Sequence, residues 1–204
     1  MSSPTTDLHG SAPDESDVAL LLVDVINDMA FPEGDQLLAH ARPMADRLAA
    51  LKTRAERAAV PVIYANDNFG RWRSDFQAQV DHCLEPDCRG RPVAERLRPG
   101  GRDYFVLKPK HSAFFNTTLD LLLKHLGTKV LVVTGVAGNI CVLFTANDAY
   151  LRDLRVVVPA DCTASNTAAE NRAALDLMRT LLKADTRPAD EWTFEELAGG
   201  NACP

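Results

Sequence analysis

The chain has 204 residues, of which 46% are hydrophobic and 25% charged, an ordinary composition for one globular domain with its own core. Its 22 Lys and Arg against 28 Asp and Glu leave a net charge of −6, which excludes a basic nucleic-acid footprint. No apolar run approaches the ~18 residues that a bilayer span needs.

Residues 1–17 are rich in Ser, Pro, Thr and Asp without an apolar stretch, so they read as a flexible arm and not as a secretory signal. The five cysteines then read as reduced thiols in a cytoplasm rather than a disulfide framework. Val18 to Asp24 is a short apolar run ending in an acid, the mark of a strand buried on both faces. Met44, Leu48, Leu51 and Ala55 recur at spacings of three and four, which predicts a helix over 44–59. A second strand is expected over 61–65. A long connection, 69–101, follows, with one short helix around 93–97.

A third strand over 103–107 leads into Lys108. Asn116 and its neighbours open a helix over 119–126, and Gly127 stands where such a helix stops. A fourth strand, 129–134, runs through a turn at 135–139 into a helix over 140–151. The fifth strand is expected at 155–159. Thr167 and Glu170 have capping-box spacing, and their helix presents Leu175, Met178, Leu181 and Leu182. A short sixth strand is expected near 184–187, and the tail from 196 to 204 is expected to be loose. Strands alternating with helices predict a three-layer αβα sandwich around a mostly parallel six-stranded sheet, in a single domain over 18–195.

In such sheets, sites gather at the carboxyl ends of the strands. There the sequence places Asp24, Asp67, Lys108 and Cys141. A cysteine entering a helix meets unpaired backbone N–H groups and partial positive charge, which favour a thiolate and an oxyanion. An acid, a cation and a thiol together make a nucleophilic set. From spacing alone, a buried Cys141 and a structural Asp24–Lys108 ion pair account for the same residues.

Three separated segments carry a resemblance: Leu21-Leu-Val-Asp24-Val-Ile-Asn-Asp28, Val106-Leu-Lys108-Pro-Lys-His-Ser112-Ala-Phe114, and Val132-Val-Thr-Gly135-Val-Ala-Gly-Asn-Ile-Cys141. They resemble the isochorismatase-like cysteine hydrolases, the superfamily that includes nicotinamidases and N-carbamoylsarcosine amidases, and the match spans roughly residues 18 to 187. The resemblance implies a hydrolase that cleaves a small amide, ureide or carbamoyl C–N bond through a covalent thioester. Cys141 would be its nucleophile, Asp24 its general base and then acid, and Lys108 the cation that lowers the thiol pKa. It also implies a cis peptide at Val136–Ala137, with the N–H groups of Ala137 and Cys141 lining an oxyanion hole. A homo-oligomer, dimer or tetramer, is implied as well.

Nicotinamidases bind a metal through Asp-x-His after the second strand. Here the segment reads Asp67-Asn68-Phe69, so neither metal nor other cofactor is expected. His82, Cys83 and Cys88 lack a second ligand pair and read as loop residues, not a zinc site. Asn27, Trp72, Arg73, Phe114 and Asn139 are candidate pocket residues, each with an equally ordinary turn, core or loop role. His111 is expected to face substrate or solvent, since the implied mechanism needs no histidine. Isochorismatase-type cleavage of an enol ether and a catalytically silent scaffold are the competing readings. A nucleotide-binding module is disfavoured, because Gly135-x-x-Gly138 is neither G-x-G-x-x-G nor a Walker loop. The expected partner is a small-molecule substrate, with no nucleic acid and no membrane.

Overall fold

The computed structural model describes residues 15–67 and 75–200. Five strands form one parallel path. They are β1 (Val18–Val23), β2 (Val62–Asp67), β3 (Tyr104–Lys108), β4 (Val130–Val136) and β5 (Arg155–Val157), in the spatial order β3-β2-β1-β4-β5. A two-residue strand, β6 (Thr163–Ala164), pairs with the end of β4.

Parity along β1 builds both cores. Val18, Leu20 and Leu22 point to one face, and Ala19, Leu21 and Val23 to the other, as the two-residue period of a strand dictates. The first face is covered by α1 (Gly34–Arg57), α2 (Phe76–Cys83), α3 (Arg91–Arg96) and α7 (Phe194–Gly199). The second is covered by α4 (Leu119–Leu126), α5 (Leu143–Tyr150) and α6 (Ala168–Leu181). The result is the expected αβα sandwich with a parallel sheet.

Several boundaries move. Helix α1 starts at Gly34 rather than Met44 and contains Pro43. Leu37 and Ala41 extend the buried stripe of Met44, Leu48, Leu51 and Ala55 backward, and Pro43 sits on the exposed side of the helix. The connection after β2 holds two helices, α2 and α3, not one. Helix α2 is too short to show a period, and its cap is the Asp75 carboxylate accepting from Ala78 N. The sixth strand is not at 184–187, where only an isolated Val157–Asp185 bridge forms. It is β6, whose two residues are too few to register as a strand in sequence. On α6, Met178 and Leu182 are buried, whereas Leu181 is 61% exposed. The chain beyond 196 is not loose through Gly199. Thr193 and Glu196 form a capping box that starts α7, and Leu197 is buried. Gly127 ends α4 in a left-handed conformation (φ 74°), and the Thr167–Glu170 capping box opens α6.

Among the described residues, no helix is long and apolar enough to cross a membrane.

Candidate active site

Strand register brings the candidate residues to one line. Val23 pairs with Gly135 across β1 and β4, and Asp67 pairs with Lys108 across β2 and β3. Asp24 follows Val23 directly and takes a left-handed backbone (φ 51°), which Asp tolerates better than most residues. Its backbone N–H still bonds to the Ala65 carbonyl at 2.9 Å, so the residue remains anchored to β2. Gly135 (φ +106°) lies so close to β1 that an added Cβ would stand 2.1 Å from the Val23 carbonyl oxygen. Only glycine fits this approach. The Val136–Ala137 peptide that follows is cis.

Cys141 does not open an α-helix, as the sequence suggested. It lies in a π-helical turn, Gly138–Val142, that precedes α5. The Ala137 carbonyl accepts from Ile140 N at 3.0 Å and Val142 N at 3.2 Å, the residues on either side of Cys141. Ser165 braces the same turn by accepting from Asn139 N at 3.1 Å.

The side chains converge on Lys108, which is fully buried (0% exposed). Its ammonium lies 2.8 Å from Asp24 Oδ2 and 3.4 Å from Cys141 Sγ. It also donates to the Lys110 carbonyl at 3.2 Å and stands 3.9 Å from Asp67 Oδ2. Asp24 Oδ1 accepts from Asp67 N at 2.7 Å, and the Asp24 carboxylate is near enough to the Cys141 thiol for each to act on the other's proton affinity.

Burial and charge act against each other here. Burial raises the Asp24 pKa above the ordinary carboxylate value, opposed by Lys108. Burial pulls the Lys108 ammonium down, but the charges of Asp24 and Cys141 outweigh it and the net direction is up. Burial and then the Asp24 charge push the Cys141 thiol up to about 12, against the pull of Lys108. The lysine favours the thiolate, but desolvation and the carboxylate win.

The segment carrying Lys108 is fastened to the helix that follows Cys141. Ser112 Oγ donates to the Asp148 carboxylate, and Ala113 N donates to Thr145 Oγ1 at 3.0 Å. In sequence, Ser112 and Ala113 stand out only as parts of the lysine segment. Their pairing bridges more than thirty positions, so no local pattern exposes it. His111, expected to face substrate or solvent, is exposed and has its Nδ1 3.8 Å from Cys141 Sγ.

The candidate pocket residues separate. Asn27 is a turn residue, its Oδ1 accepting from Met29 N at 2.8 Å. Phe114 belongs to the core, buried under the Arg152 guanidinium at 4.5 Å. Asn139 stays beside the nucleophile, and its buried Oδ1 has no hydrogen-bond partner among the described residues. Trp72 and Arg73 lie outside the described residues, as does Phe69. Cys83 is buried and Cys88 half-buried, and His82 Nε2 pairs with Asp28 Oδ2 at 3.4 Å. Among the described residues, no three His, Cys, Asp or Glu side chains converge as a metal site. Asp67 faces the Lys108 ammonium instead, which is no place for a cation.

The family model described as "Isochorismatase domain" matches residues 18–187. The uncharacterized isochorismatase family protein YaaI of Bacillus subtilis is 40% identical over 171 residues, covering 84% of this chain and 93% of that protein. The ureidoacrylate amidohydrolase RutB of Acinetobacter baylyi is 27% identical over 195 residues, covering 83% and 79%. The crystal structure of N-carbamoylsarcosine amidase from Thermoplasma acidophilum superimposes with a TM-score of 0.62 at 28% identity, covering 87% of this chain and 99% of that one.

Proposed function

The chain belongs to the isochorismatase family, and from that premise we propose that it is a cysteine hydrolase cleaving a C–N bond in a small amide, ureide or carbamoyl compound. The observation that carries this reading is the Lys108 ammonium, buried and held between the Asp24 carboxylate at 2.8 Å and the Cys141 sulfur at 3.4 Å. A structural ion pair accounts for the first contact but gives no reason for the second. The similarity to RutB and N-carbamoylsarcosine amidase supports the substrate class.

In the proposed reaction Asp24 takes the thiol proton as Cys141 attacks the substrate carbonyl carbon. A base is needed because the thiol is protonated at rest, its pKa pushed up to about 12. The raised pKa of Asp24 makes it a stronger base than an exposed carboxylate and its conjugate acid a weaker one. Lys108 meets the negative charge as it moves from Asp24 to sulfur. The N–H groups of Ala137 and Cys141, in the turn after Val136, receive the oxyanion. Asp24 then protonates the leaving nitrogen and a thioester remains on Cys141. No step runs through a metal.

The substrate is a free small molecule, and the protein works among reduced thiols in a cytoplasm, away from nucleic acid and membrane. A homo-oligomer is part of the same proposal. The half-exposed Ile140 and Phe144 flank Cys141 and offer apolar surface at the site's edge for a second copy. A light-scattering mass equal to one chain overturns the oligomer.

The test is ammonia release from a panel of amides, carbamoyl compounds and ureides, with Cys141→Ala in parallel. Ammonia from the native protein alone is expected. Ammonia from neither protein points to another leaving group, the enol-ether type included. Equal release from both removes Cys141 as nucleophile.

A further inference from the structure

Two cysteines outside the active site stand together. Cys83 ends α2 and is buried, and Cys88 follows five positions later, half-buried. Two successive turns carry the chain back on itself. Glu85 N donates to the His82 carbonyl and Cys88 N to the Glu85 carbonyl, each at 3.1 Å. Cys88 then packs against the same core cluster that holds Cys83. After burial, the charge of an ionised Cys88 is the largest influence on the Cys83 thiol, ahead of Asp28 and Glu85. The two sulfurs are therefore close neighbours, and no step of the proposed hydrolysis uses either.

The pair sits in a clamp on the chain that leaves β1. Cys88 Sγ lies 3.9 Å from the Asp28 carbonyl, which also accepts from Gly90 N at 3.1 Å. Arg89 Nη1 donates to the Met29 carbonyl at 2.8 Å, and His82 Nε2 meets Asp28 Oδ2 at 3.4 Å. Gly90 presses so near Asn27 that an added Cβ would stand 1.7 Å from its carbonyl oxygen. Asn27 is three positions after Asp24. What holds 82–90 together thus also holds the turn that follows Asp24.

We propose that Cys83 and Cys88 are a redox pair, a dithiol that a small-molecule disulfide closes to a cystine and a small thiol reopens. Cys88 is the sulfur a reagent reaches first, being the less buried of the two. Its thiolate attacks one sulfur of glutathione disulfide, and the S–S bond breaks. The departing glutathione thiolate takes up the proton that Cys88 released. Cys83 then attacks the Cys88 sulfur of the mixed disulfide, and its proton goes to the second departing glutathione. Two protein thiols are oxidised, and one disulfide is reduced to two thiols. Capping Cys88 assists the second step, because it removes the charge that opposes ionisation of Cys83. Among reduced thiols the pair rests open, and a rise in the ratio of disulfide to thiol closes it. The bond restricts the opened states of 83–88, so the clamp on the turn after Asp24 opens less often.

The test incubates the full native chain with excess glutathione disulfide and reads the product by mass. A chain lighter by two hydrogen atoms is expected, with a Cys83–Cys88 link in its peptide map, and dithiothreitol should restore the reduced mass. Backbone amide exchange over 84–91 should slow by roughly 10-fold or more in the linked form. Cys88→Ala is expected to show neither the link nor the slowing, and Cys83→Ala only a glutathione adduct on Cys88. A native chain of unchanged mass overturns the proposal, as does one that carries only glutathione adducts. A link to Cys141, Cys162 or Cys203 in place of the pair overturns it too. So does a Cys83–Cys88 link that leaves exchange over 84–91 at the reduced rate. None of these readouts needs turnover, so the redox pair and the hydrolase reading stand or fall separately.

Discussion

Lys108 and Asp67 are register partners on adjacent strands, yet the Lys108 ammonium passes Asp67 at 3.9 Å and closes on Asp24 at 2.8 Å, one strand further in. The lysine thus spans β2 to join residues that the chain keeps far apart.

Removing that ammonium strands a buried carboxylate. Lys108→Met is expected to cost about 3–5 kcal/mol in urea unfolding, the usual cost of breaking one side of a buried pair. Activity should fall at least ~100-fold. Its remaining activity should also need higher pH, because Asp24 loses the charge that holds its pKa down. A variant with native stability and turnover would show the contact to be incidental.

Cys141 should be a slow thiol at neutral pH. With its pKa pushed up to about 12, iodoacetamide should alkylate it at a rate climbing about tenfold per pH unit, without a plateau near neutrality. Asp24→Asn removes the second cause of the shift and should speed alkylation. A pH-independent rate around neutrality would mean a resting thiolate.

The same shift makes stability depend on pH in the alkaline range. Cys141 and Cys83 both move from 9.0 to about 12, chiefly through burial. Between those values the unfolded chain has released thiol protons that the folded chain still holds, so stability falls as pH rises. The contribution is complete below pH 9.0 and lost on approach to about 12. Urea midpoints at about pH 8 and about pH 10.5 should therefore separate more for the native protein than for Cys141→Ala or Cys83→Ala. Equal separation in all three would contradict the assignment.

Thr145→Val tests the fastening of the lysine segment. It leaves the buried Ala113 N–H without its 3.0 Å acceptor, at a cost of about 1–3 kcal/mol. Turnover should fall more than substrate affinity, since Lys108 and His111 are displaced while the far side of the site is untouched. Steady-state kinetics that show a change in KM alone would refute this role.

The fold and the core of the site were legible because their signals are local. Val18 to Val23 reads as a doubly buried strand, and Asp24 is its very next residue. Lys108 is the last residue of β3, and Cys141 lies in the glycine-bearing turn that follows β4. The start of α1 was hidden because Pro43 argues against a helix unless its exposed position is known. The balance of forces on the thiol is hidden for a related reason. A helix entry and a nearby lysine both favour the thiolate, and sequence does not reveal how deeply Cys141 sits or that Asp24 touches it. Asp67 was visible as a strand end, but its N–H bond to Asp24 follows only from register. Ser165 acts on the nucleophile turn from 26 positions away, with no local sign at all.

The strand order has a kinetic consequence. β1 is synthesised first among the strands but lies in the middle, and its partner β4 comes from much later in the chain. The Thr134 hydroxyl bonds the Leu21 carbonyl across 113 positions. Closing so long a loop is entropically costly, and contacts of this kind form late. Helices α1 and α4 can gain structure well before that step, but Cys141 meets Asp24 only after it. Recovery of catalytic competence on dilution from denaturant therefore times the closing of the central sheet, not the growth of helical signal.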